Sequence, residues 1–234
     1  MLVLSNVDAG YGGFQALFDV SMTVEAGEAV AVIGANGAGK TTLLRVISGL
    51  LPASRGDMTM EGVRLTAIAP HRIVETGIAH VPESRRLFPR LTVEGNLKMG
   101  AFIPAARAGF AERLAYVYGL FPRLKERRNQ LAGTMSGGEQ QMLAMSRALA
   151  SDPALLILDE LSRGLAPLSV DELYETVSQI AASGVSILCI EQFARTALRV
   201  ADYAAVMSHG RVVATGEPVE ILQTMSDVIL GGAA

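Results

Sequence analysis

A glycine-rich loop between a predicted strand and a predicted helix constrains the fold of this chain more than any other feature. Residues 28–33 form an apolar, β-branched run typical of a buried strand, and residues 42–50 place leucine and isoleucine at helical spacing. Between them, residues 34–41 fit the pattern G-x-x-x-x-G-K-[ST]. This order predicts a phosphate-binding loop, because glycines let backbone N–H groups approach an anion and a helix N-terminus attracts negative charge.

The side chains that end this loop indicate a nucleoside triphosphate as the ligand. We expect Lys40 to bridge the outer phosphates and the Thr41 hydroxyl to bind Mg²⁺. An ordinary glycine-rich turn is the alternative, and the flanking strand and helix disfavour it. The residues that we expect to contact the nucleotide here are Gly34, Ala35, Asn36, Gly37, Ala38, Gly39, Lys40, Thr41 and Thr42.

The composition is typical of an intracellular globular enzyme. A net charge of -3 gives no electrostatic reason to expect nucleic acid as a partner. The single cysteine, Cys189, excludes an intrachain disulfide, and we expect it to pack in a core strand rather than to carry redox chemistry. No long apolar span and no signal peptide is visible. Half of the residues are hydrophobic, which indicates either large protein contacts or a rich core.

The periodicity along the chain predicts an α/β fold with two additions. Strands are predicted at 2–7, 18–24, 57–60, 63–65, 77–81, 154–158, 185–190 and 204–207, and helices after residue 153 at 170–182 and 194–201. We expect a single ATPase domain of residues 1–234 with a P-loop NTPase core and a mainly parallel sheet. An N-terminal antiparallel β subdomain and a helical subdomain inserted at about 92–153 complete it.

Two carboxylates, Asp159 and Glu160, follow the apolar run of residues 155–158. This pattern places both acids at the carboxyl edge of a buried strand, where α/β sheets bind ligands. We expect Asp159 to hold Mg²⁺, directly or through water, and Glu160 to deprotonate the water that attacks the γ-phosphate. Acids often end strands for solvation alone, but the phosphate-binding loop upstream favours the catalytic interpretation.

A second glycine motif, Ser136–Gly138, precedes a predicted helix at 142–150. Ser136 is a good N-cap, and the paired glycines leave N–H groups free for an anion site that has no lysine of its own. One chain then carries two different half-sites for a triphosphate. We therefore expect a head-to-tail pair in which Ser136, Gly137 and Gly138 cover the γ-phosphate bound by another subunit. A capped helix without a ligand is the alternative.

These motifs occur in the order found in the ATP-binding subunits of ATP-binding cassette (ABC) transporters, which the chain resembles over nearly its whole length. The resemblance assigns Walker A to residues 34–41, the signature to 136–140 and Walker B to 155–160. It implies that Tyr11 stacks on adenine, although a packing role fits the bare sequence as well. It also places Ser162 and Gly164 in the D-loop.

Within that family, the chain is similar to one ATPase subunit of branched-chain amino-acid uptake systems. The segments that carry this similarity are 11–13, 81–88, 135–142, 164–167 and 190–192. Most family members have histidine where this chain has Gln192, and glutamine where it has Glu83. The resemblance implies that Gln192 takes part in catalysis and that Glu83 joins Thr41 and Asp159 as a Mg²⁺ ligand.

Two departures from this subgroup follow the predicted catalytic glutamate. Leu161 replaces a proline, which frees the backbone just past Glu160, and Arg163 stands where an apolar side chain would meet the partner subunit. Arg163 either finds a carboxylate or phosphate there or is a tolerated surface variant. Both changes leave nucleotide binding intact and put full hydrolytic competence in question.

The resemblance implies an ATPase that powers uptake of a small solute, such as a branched-chain or other hydrophobic amino acid. It implies ATP and Mg²⁺ as cofactors, a second ABC ATPase subunit in a homodimer or heterodimer, and two membrane permease subunits docked near Glu83 and the helical insertion. A periplasmic solute-binding protein is implied indirectly, and nucleic acid is not expected as a partner. The expected location is peripheral, at the cytoplasmic face of the inner membrane.

Three alternatives remain open at the level of sequence. The same machinery could import urea or short amides, because related subunits share the Glu-Gln pair at 191–192. A cassette ATPase acting in translation or DNA repair is a second alternative, but those proteins usually carry two cassettes or long coiled-coil insertions. A regulatory nucleotide-binding module without turnover is the third, and Arg163 and Gln192 keep it open.

Overall fold

A six-stranded sheet lies at the centre of the computed structural model, which describes residues 1–223. Residues 224–234 of the expected domain lie outside the described residues. The strands are β1 (Leu2–Tyr11), β2 (Phe14–Val24), β3 (Ala29–Ile33), β4 (Arg55–Met60), β5 (Val63–Arg64), β6 (Ile78–Val81), β7 (Leu155–Asp159), β8 (Ser186–Glu191), β9 (Tyr203–Ser208) and β10 (Arg211–Gly216).

The strand order in the central sheet brings the functional segments to one edge. The order is β10-β9-β3-β8-β7-β6, with parallel pairing from β9 to β6 and β10 antiparallel to β9. In this register Ile33 lies opposite Glu191, and Asp159 lies opposite Ile190. The segments that follow β3, β7 and β8 therefore leave the sheet side by side, as parallel strands require. The mainly parallel sheet expected from the sequence is confirmed.

An antiparallel sheet of order β2-β1-β4-β5 forms the N-terminal part of the described chain. The predicted hairpin at 57–65 is confirmed, with Met60 opposite Val63 across a turn in which Glu61 and Gly62 both have positive φ. The first two strands are longer than predicted, because β1 and β2 continue to a two-residue turn beyond Tyr11. Register shifts interrupt their pairing, which hides the alternation in the sequence.

Helices cover the sheets and fill most of the segment between β6 and β7. They are α1 (Lys40–Ile47), α2 (Val93–Gly100), α3 (Pro104–Ala108), α4 (Phe110–Leu120), α5 (Pro122–Glu126), α6 (Gly137–Leu149), α7 (Pro167–Ala182) and α8 (Ala194–Ala197). Residues 65–67, 70–76 and 132–134 form 3₁₀ turns, and residues 218–223 are helical. No helix within residues 1–223 combines the length and apolar character needed to span a membrane.

The central sheet is buried on both faces, which accounts for the continuous apolar runs of its strands. Alternate residues of β3, β7 and β8 point to opposite cores. One core packs against α6 and α7, and the other packs against α1 and the antiparallel sheet. Cys189 lies in the first core and is 1% exposed, so its expected place in a core strand is confirmed.

Three further elements differ from the sequence prediction. Helix α6 begins at Gly137, five residues before the helix predicted at 142–150. The helix expected at 194–201 is the single turn α8, since Ala201 and the following residue already lead into β9. Strand β10 was not predicted; it follows a turn in which His209 and Gly210 both have positive φ, a signal of hairpin geometry. Its residues are mostly exposed or half-buried, so they lack the apolar run of the central strands.

Candidate functional site

The glycine loop lies between the end of β3 and the first residue of α1, as its sequence predicts. Gly39 precedes α1 with φ 104°, a conformation that side chains rarely adopt. A Cβ at Gly34 would stand 2.5 Å from the Met207 carbonyl oxygen. These two positions require glycine because of backbone geometry and close approach.

Lys40 is folded back onto this loop. Its side chain is 5% exposed, and Nζ donates hydrogen bonds to the carbonyl oxygens of Gly34 at 2.8 Å and Ala35 at 3.2 Å. The ammonium group therefore sits inside the curve of the loop, where the sequence pattern expects phosphate oxygens. The two loop carbonyls stabilise the buried ammonium group of Lys40 as long as no anion is bound there.

Two clefts open on either side of the loop. The Tyr11 cleft, of about 570 Å³, is lined by Tyr11, Phe14, Lys40, Thr41 and Glu160 among others. The Gln192 cleft, of about 650 Å³, is lined by Gly34–Ala38, Gln192 and residues of β9. Although the Gln192 cleft is larger, Lys40 and Glu160, which the sequence predicts to act on phosphate, line the Tyr11 cleft. Gln192 thus lies at the same loop but not in the same cleft as Glu160.

Tyr11 has an ordered environment at the rim of its cleft. Its ring is 41% exposed, and the guanidinium of Arg45 lies 5.7 Å from the ring centre. Arg45 also donates a hydrogen bond to the Tyr11 hydroxyl at 3.1 Å, and that hydroxyl lies 3.5 Å from Thr42 Oγ1. An exposed, restrained aromatic face beside the phosphate-binding loop suits stacking on a planar base.

Asp159 ends β7 among other acids. Burial, followed by the charges of Glu160 and Glu83, raises the pKa of Asp159 to about 6, although the Glu83 backbone N–H stabilises the carboxylate. Sequence reasoning missed His80, whose Nε2 lies 3.9 Å from Asp159 Oδ2. Burial, followed by the charge of Arg86, lowers the pKa of His80 to about 4, so this imidazole is neutral at pH 7 and adds no positive charge.

Glu160 is held between two cations. Its φ is 44°, in the left-handed region, and its carboxylate is 3.9 Å from Lys40 Nζ and 3.2 Å from Arg163 Nη1. Arg163 also pairs with Glu83. The sequence left open whether Arg163 meets a carboxylate of a partner subunit; in the described chain it meets two carboxylates of its own.

The backbone after Glu160 is anchored despite the replacement of proline. Leu161 is 1% exposed and packs in the core, and Ser162 donates two hydrogen bonds to Glu191, from its N–H and from its hydroxyl, each at 3.0 Å. The freedom expected from Leu161 is therefore offset by apolar burial and by Glu191. The sequence analysis names Glu191 only as part of the Glu-Gln pair at 191–192 and predicts no contact with Ser162.

Ser136 caps α6, as predicted. Its hydroxyl accepts from the Glu139 N–H at 3.4 Å, and the Glu139 carboxylate accepts from the Ser136 N–H at 2.9 Å, which completes a capping box. Within residues 1–223, neither cleft beside the loop is lined by Ser136, Gly137 or Gly138. The described chain thus keeps its two glycine motifs apart.

The residues present suit a nucleotide with a divalent cation. Open space surrounds Gly37 where a Cβ would stand, which leaves the loop accessible, and Lys40 supplies a buried cation. A cation near Asp159 would relieve the repulsion that raises its pKa. Within residues 1–223, acidic, histidine and cysteine side chains form no cluster of three that could hold a metal alone.

A family model described as ABC transporter matches residues 17–163, which contain the glycine loop, the Ser136 motif, Asp159 and Glu160. The chain belongs to the ABC transporter family. Membership confirms the recognition made from the three motifs, and with it the expectation of an ATPase and of nucleotide binding. Dimers with membrane permease partners are implied by the same membership.

Members of the family match this chain over almost its full length. The high-affinity branched-chain amino acid transport ATP-binding protein BraG of Pseudomonas aeruginosa is 47% identical, covering 99% of this chain and 100% of its own. The probable branched-chain amino acid transport ATP-binding protein LivF of Archaeoglobus fulgidus is 35% identical, covering 95% and 94%.

Solved structures of ABC transporter cassettes share the fold. One described as the ADP conformation of an ATP-binding cassette superposes with a TM-score of 0.83 at 29% identity, covering 97% of this chain and 95% of its own. A nucleotide-free cassette gives a TM-score of 0.83 at 26% identity, covering 96% and 95%. The P-loop NTPase core with its antiparallel N-terminal sheet is thereby confirmed.

Proposed function

We propose that this ABC family ATPase drives uptake of branched-chain or other hydrophobic amino acids across the cytoplasmic membrane. The observation that carries the proposal is the 47% identity to BraG along the whole chain, together with a cleft in which Lys40 and Glu160 face each other. Transport is favoured over action in translation or DNA repair, because both of the relatives named above are transport proteins.

The glycine loop binds the phosphates, and the acids at 159–160 act on the metal and on the attacking water. Lys40 moves from the carbonyls of Gly34 and Ala35 to the outer phosphates, while loop N–H groups bind the remaining oxygens. Thr41 and Asp159, with Glu83 nearby, would hold Mg²⁺, which neutralises phosphate charge when bound. Glu160 accepts the proton of the attacking water.

A second cassette completes each site. Because Ser136–Gly138 lie outside both clefts of their own chain, they suit the γ-phosphate held by a head-to-tail partner. ATP closes the pair and hydrolysis reopens it, and two permease subunits convert this motion into alternating access for a solute delivered by a periplasmic binding protein. The chain lies peripherally at the cytoplasmic face of the inner membrane.

Gln192 makes the two composite sites unequal if the partner carries histidine. A glutamine amide donates a neutral hydrogen bond to the γ-phosphate, whereas a protonated histidine donates a charged one of roughly twice the strength. We expect Glu160→Gln to lower steady-state ATP turnover of the complex less than the matching change in the partner. Equal losses from the two substitutions would contradict the asymmetry.

Uptake into proteoliposomes tests the proposal. The complex containing this chain is reconstituted with its binding protein, and ATP is enclosed with the cassettes. Radiolabelled leucine should accumulate with wild-type protein and not with Lys40→Ala, whereas radiolabelled urea serves as the alternative solute. ATP-dependent uptake of urea without leucine would replace the assignment by amide import. ATP binding without turnover in the complete complex would favour a regulatory module.

A further inference from the structure

Glu191 is a buried side chain at the end of β8, and two of its hydrogen bonds go to the segment that follows β7. It is 1% exposed. Oε1 accepts from the Ser162 N–H at 3.0 Å and from the Tyr174 hydroxyl at 2.7 Å, and Oε2 accepts from the Ser162 hydroxyl at 3.0 Å. Two of its three bonds thus hold one residue, and that residue lies two positions after Glu160.

The turn that carries Glu160 needs such an anchor. A glutamate with φ 44° occupies a strained backbone conformation that persists only where neighbours fix it. On one side, the Glu160 N–H donates to the Ile190 carbonyl at 2.9 Å; on the other, Ser162 is tied to Glu191. Both ties lead to consecutive residues of β8, so the end of this strand sets the position of the turn.

The carboxylate is held without a cation. Within residues 1–223, the Glu191 carboxyl group bonds the Ser162 N–H, the Ser162 hydroxyl and the Tyr174 hydroxyl, none of which is a cation. Burial first, and the neighbouring Cys189 and Glu191 next, raise the pKa of Tyr174, so the phenol stays protonated and donates. Burial likewise raises the pKa of Cys189 to about 12, which keeps the thiol neutral. Buried polar oxygens left without hydrogen-bond donors are costly, so the three donors that reach Glu191 hold it in place.

We propose that Glu191 is the positioning residue for Glu160: through Ser162 it fixes the strained turn that aims the Glu160 carboxylate into the nucleotide cleft. The inference rests on the proposed role of Glu160 as general base. Because Gln192 is the next residue in the chain, the same carboxylate couples the turn after β7 to the segment after β8. Glu191 itself contacts neither nucleotide nor water in this scheme.

The test compares four variants of the full chain. Glu191→Leu removes both acceptor oxygens, so the Ser162 N–H and the Ser162 hydroxyl lose the carboxylate that accepts from them. Ser162→Ala removes one donor from a residue outside the core, so folding is not at risk. Tyr174→Phe is the matched control, since it also deletes a buried hydrogen bond to Glu191 but leaves Ser162 bound. Ser162→Thr, which keeps both donors, is the conservative rescue.

The first readout is hydrogen–deuterium exchange of the Ser162 amide in the nucleotide-free chain. We expect exchange about tenfold faster or more in Glu191→Leu and near wild-type rates in Tyr174→Phe, because only the former loses the amide's partner. The second readout is ATP turnover of the complex against ATP affinity. Misplacing a reacting group by about 1 Å costs up to about 100-fold, so we expect kcat to fall about 10- to 100-fold in Glu191→Leu. A loss of about threefold or more is expected in Ser162→Ala, with ATP affinity within about threefold of wild type.

The outcomes separate positioning from simple stability. Equal losses of kcat in Tyr174→Phe and Glu191→Leu, or unchanged kcat in Glu191→Leu with intact ATP binding, would overturn the proposal. So would additive losses in a Glu191→Leu, Ser162→Ala double-mutant cycle, because residues acting through one contact must couple. If wild type binds ATP no better than Lys40→Ala, the proposed function fails instead, whereas the exchange result stands independently of it.

Discussion

Replacing Lys40 by alanine should weaken ATP binding by about one to two orders of magnitude. In the free chain Nζ donates to two loop carbonyls, and in the bound chain it exchanges them for phosphate oxygens. A hydrogen bond to a charged group contributes roughly 1.5–3 kcal/mol, which corresponds to about a 10- to 150-fold change in affinity. The same substitution leaves the Gly34 and Ala35 carbonyls without this donor, so the unfolding free energy should fall by about 1–3 kcal/mol.

A fluorescence titration with an ATP analogue measures the affinity, and thermal unfolding of the nucleotide-free variant measures the stability. Lys40→Met is the matched control, because it keeps an unbranched buried stem and loses only the charged donor. Both variants should bind about equally weakly. Normal binding by Lys40→Met would show that stem packing matters rather than charge, and equal binding by wild type and Lys40→Ala would refute the phosphate-binding assignment.

Three further predictions concern the acids beside the loop. Glu160→Gln should bind ATP normally, lose ATP turnover and prolong the ATP-dependent association of two cassettes, since it removes the base and keeps the cleft. Light scattering that shows no ATP-dependent association, for this chain alone or with a partner cassette, would count against this prediction. Arg163→Leu should raise ATP turnover several-fold, because it releases one oxygen of Glu160. The unfolding free energy should change by less than about 1 kcal/mol, since the Arg163 side chain is 63% exposed. Unchanged or lower turnover would contradict this prediction. Asp159→Asn should stabilise the nucleotide-free chain at pH 7. The pKa of Asp159 is raised to about 6 from 3.8, so ionisation of this group lowers the stability of the folded chain. In thermal unfolding the stability gain of the variant should therefore shrink as the pH falls from about 6 to 4, and a gain that does not change with pH would exclude this cause.

The sequence predicted the central strands and the glycine loop well because their signals are local. A parallel strand buried on both faces reads as one apolar run, and the loop needs glycine at fixed positions such as Gly34 and Gly39. The capping box at Ser136 is likewise written within four residues. By contrast, β10 and the full length of β1 escaped prediction, since bulges and partial exposure remove the alternation on which strand prediction depends.

In the candidate site, too, local motifs were predictable from the sequence and long-range contacts were not. Lys40, Asp159 and Glu160 could be named from motifs, but their surroundings could not. The partners of Arg163 are Glu83, 80 positions away, and Glu160. Those of Glu191 include Ser162, 29 positions away. Contacts of this kind arise only when parallel strands set their ends side by side, and no local pattern records them.

By itself, the sequence determined the chemistry of this protein: a lysine-bearing glycine loop, two acids after an apolar strand and a capped glycine motif, each specified by residue type and short spacing. Only the tertiary structure decided how these groups are held. It placed Gln192 and Glu160 in different clefts beside the loop. It also paired Arg163 with two carboxylates of its own chain and bonded the buried Glu191 to Ser162, in the turn that carries Glu160. The physical reason is that side-chain type is fixed residue by residue, whereas burial, charge neighbours and hydrogen-bond partners depend on strand order and register across the whole sheet.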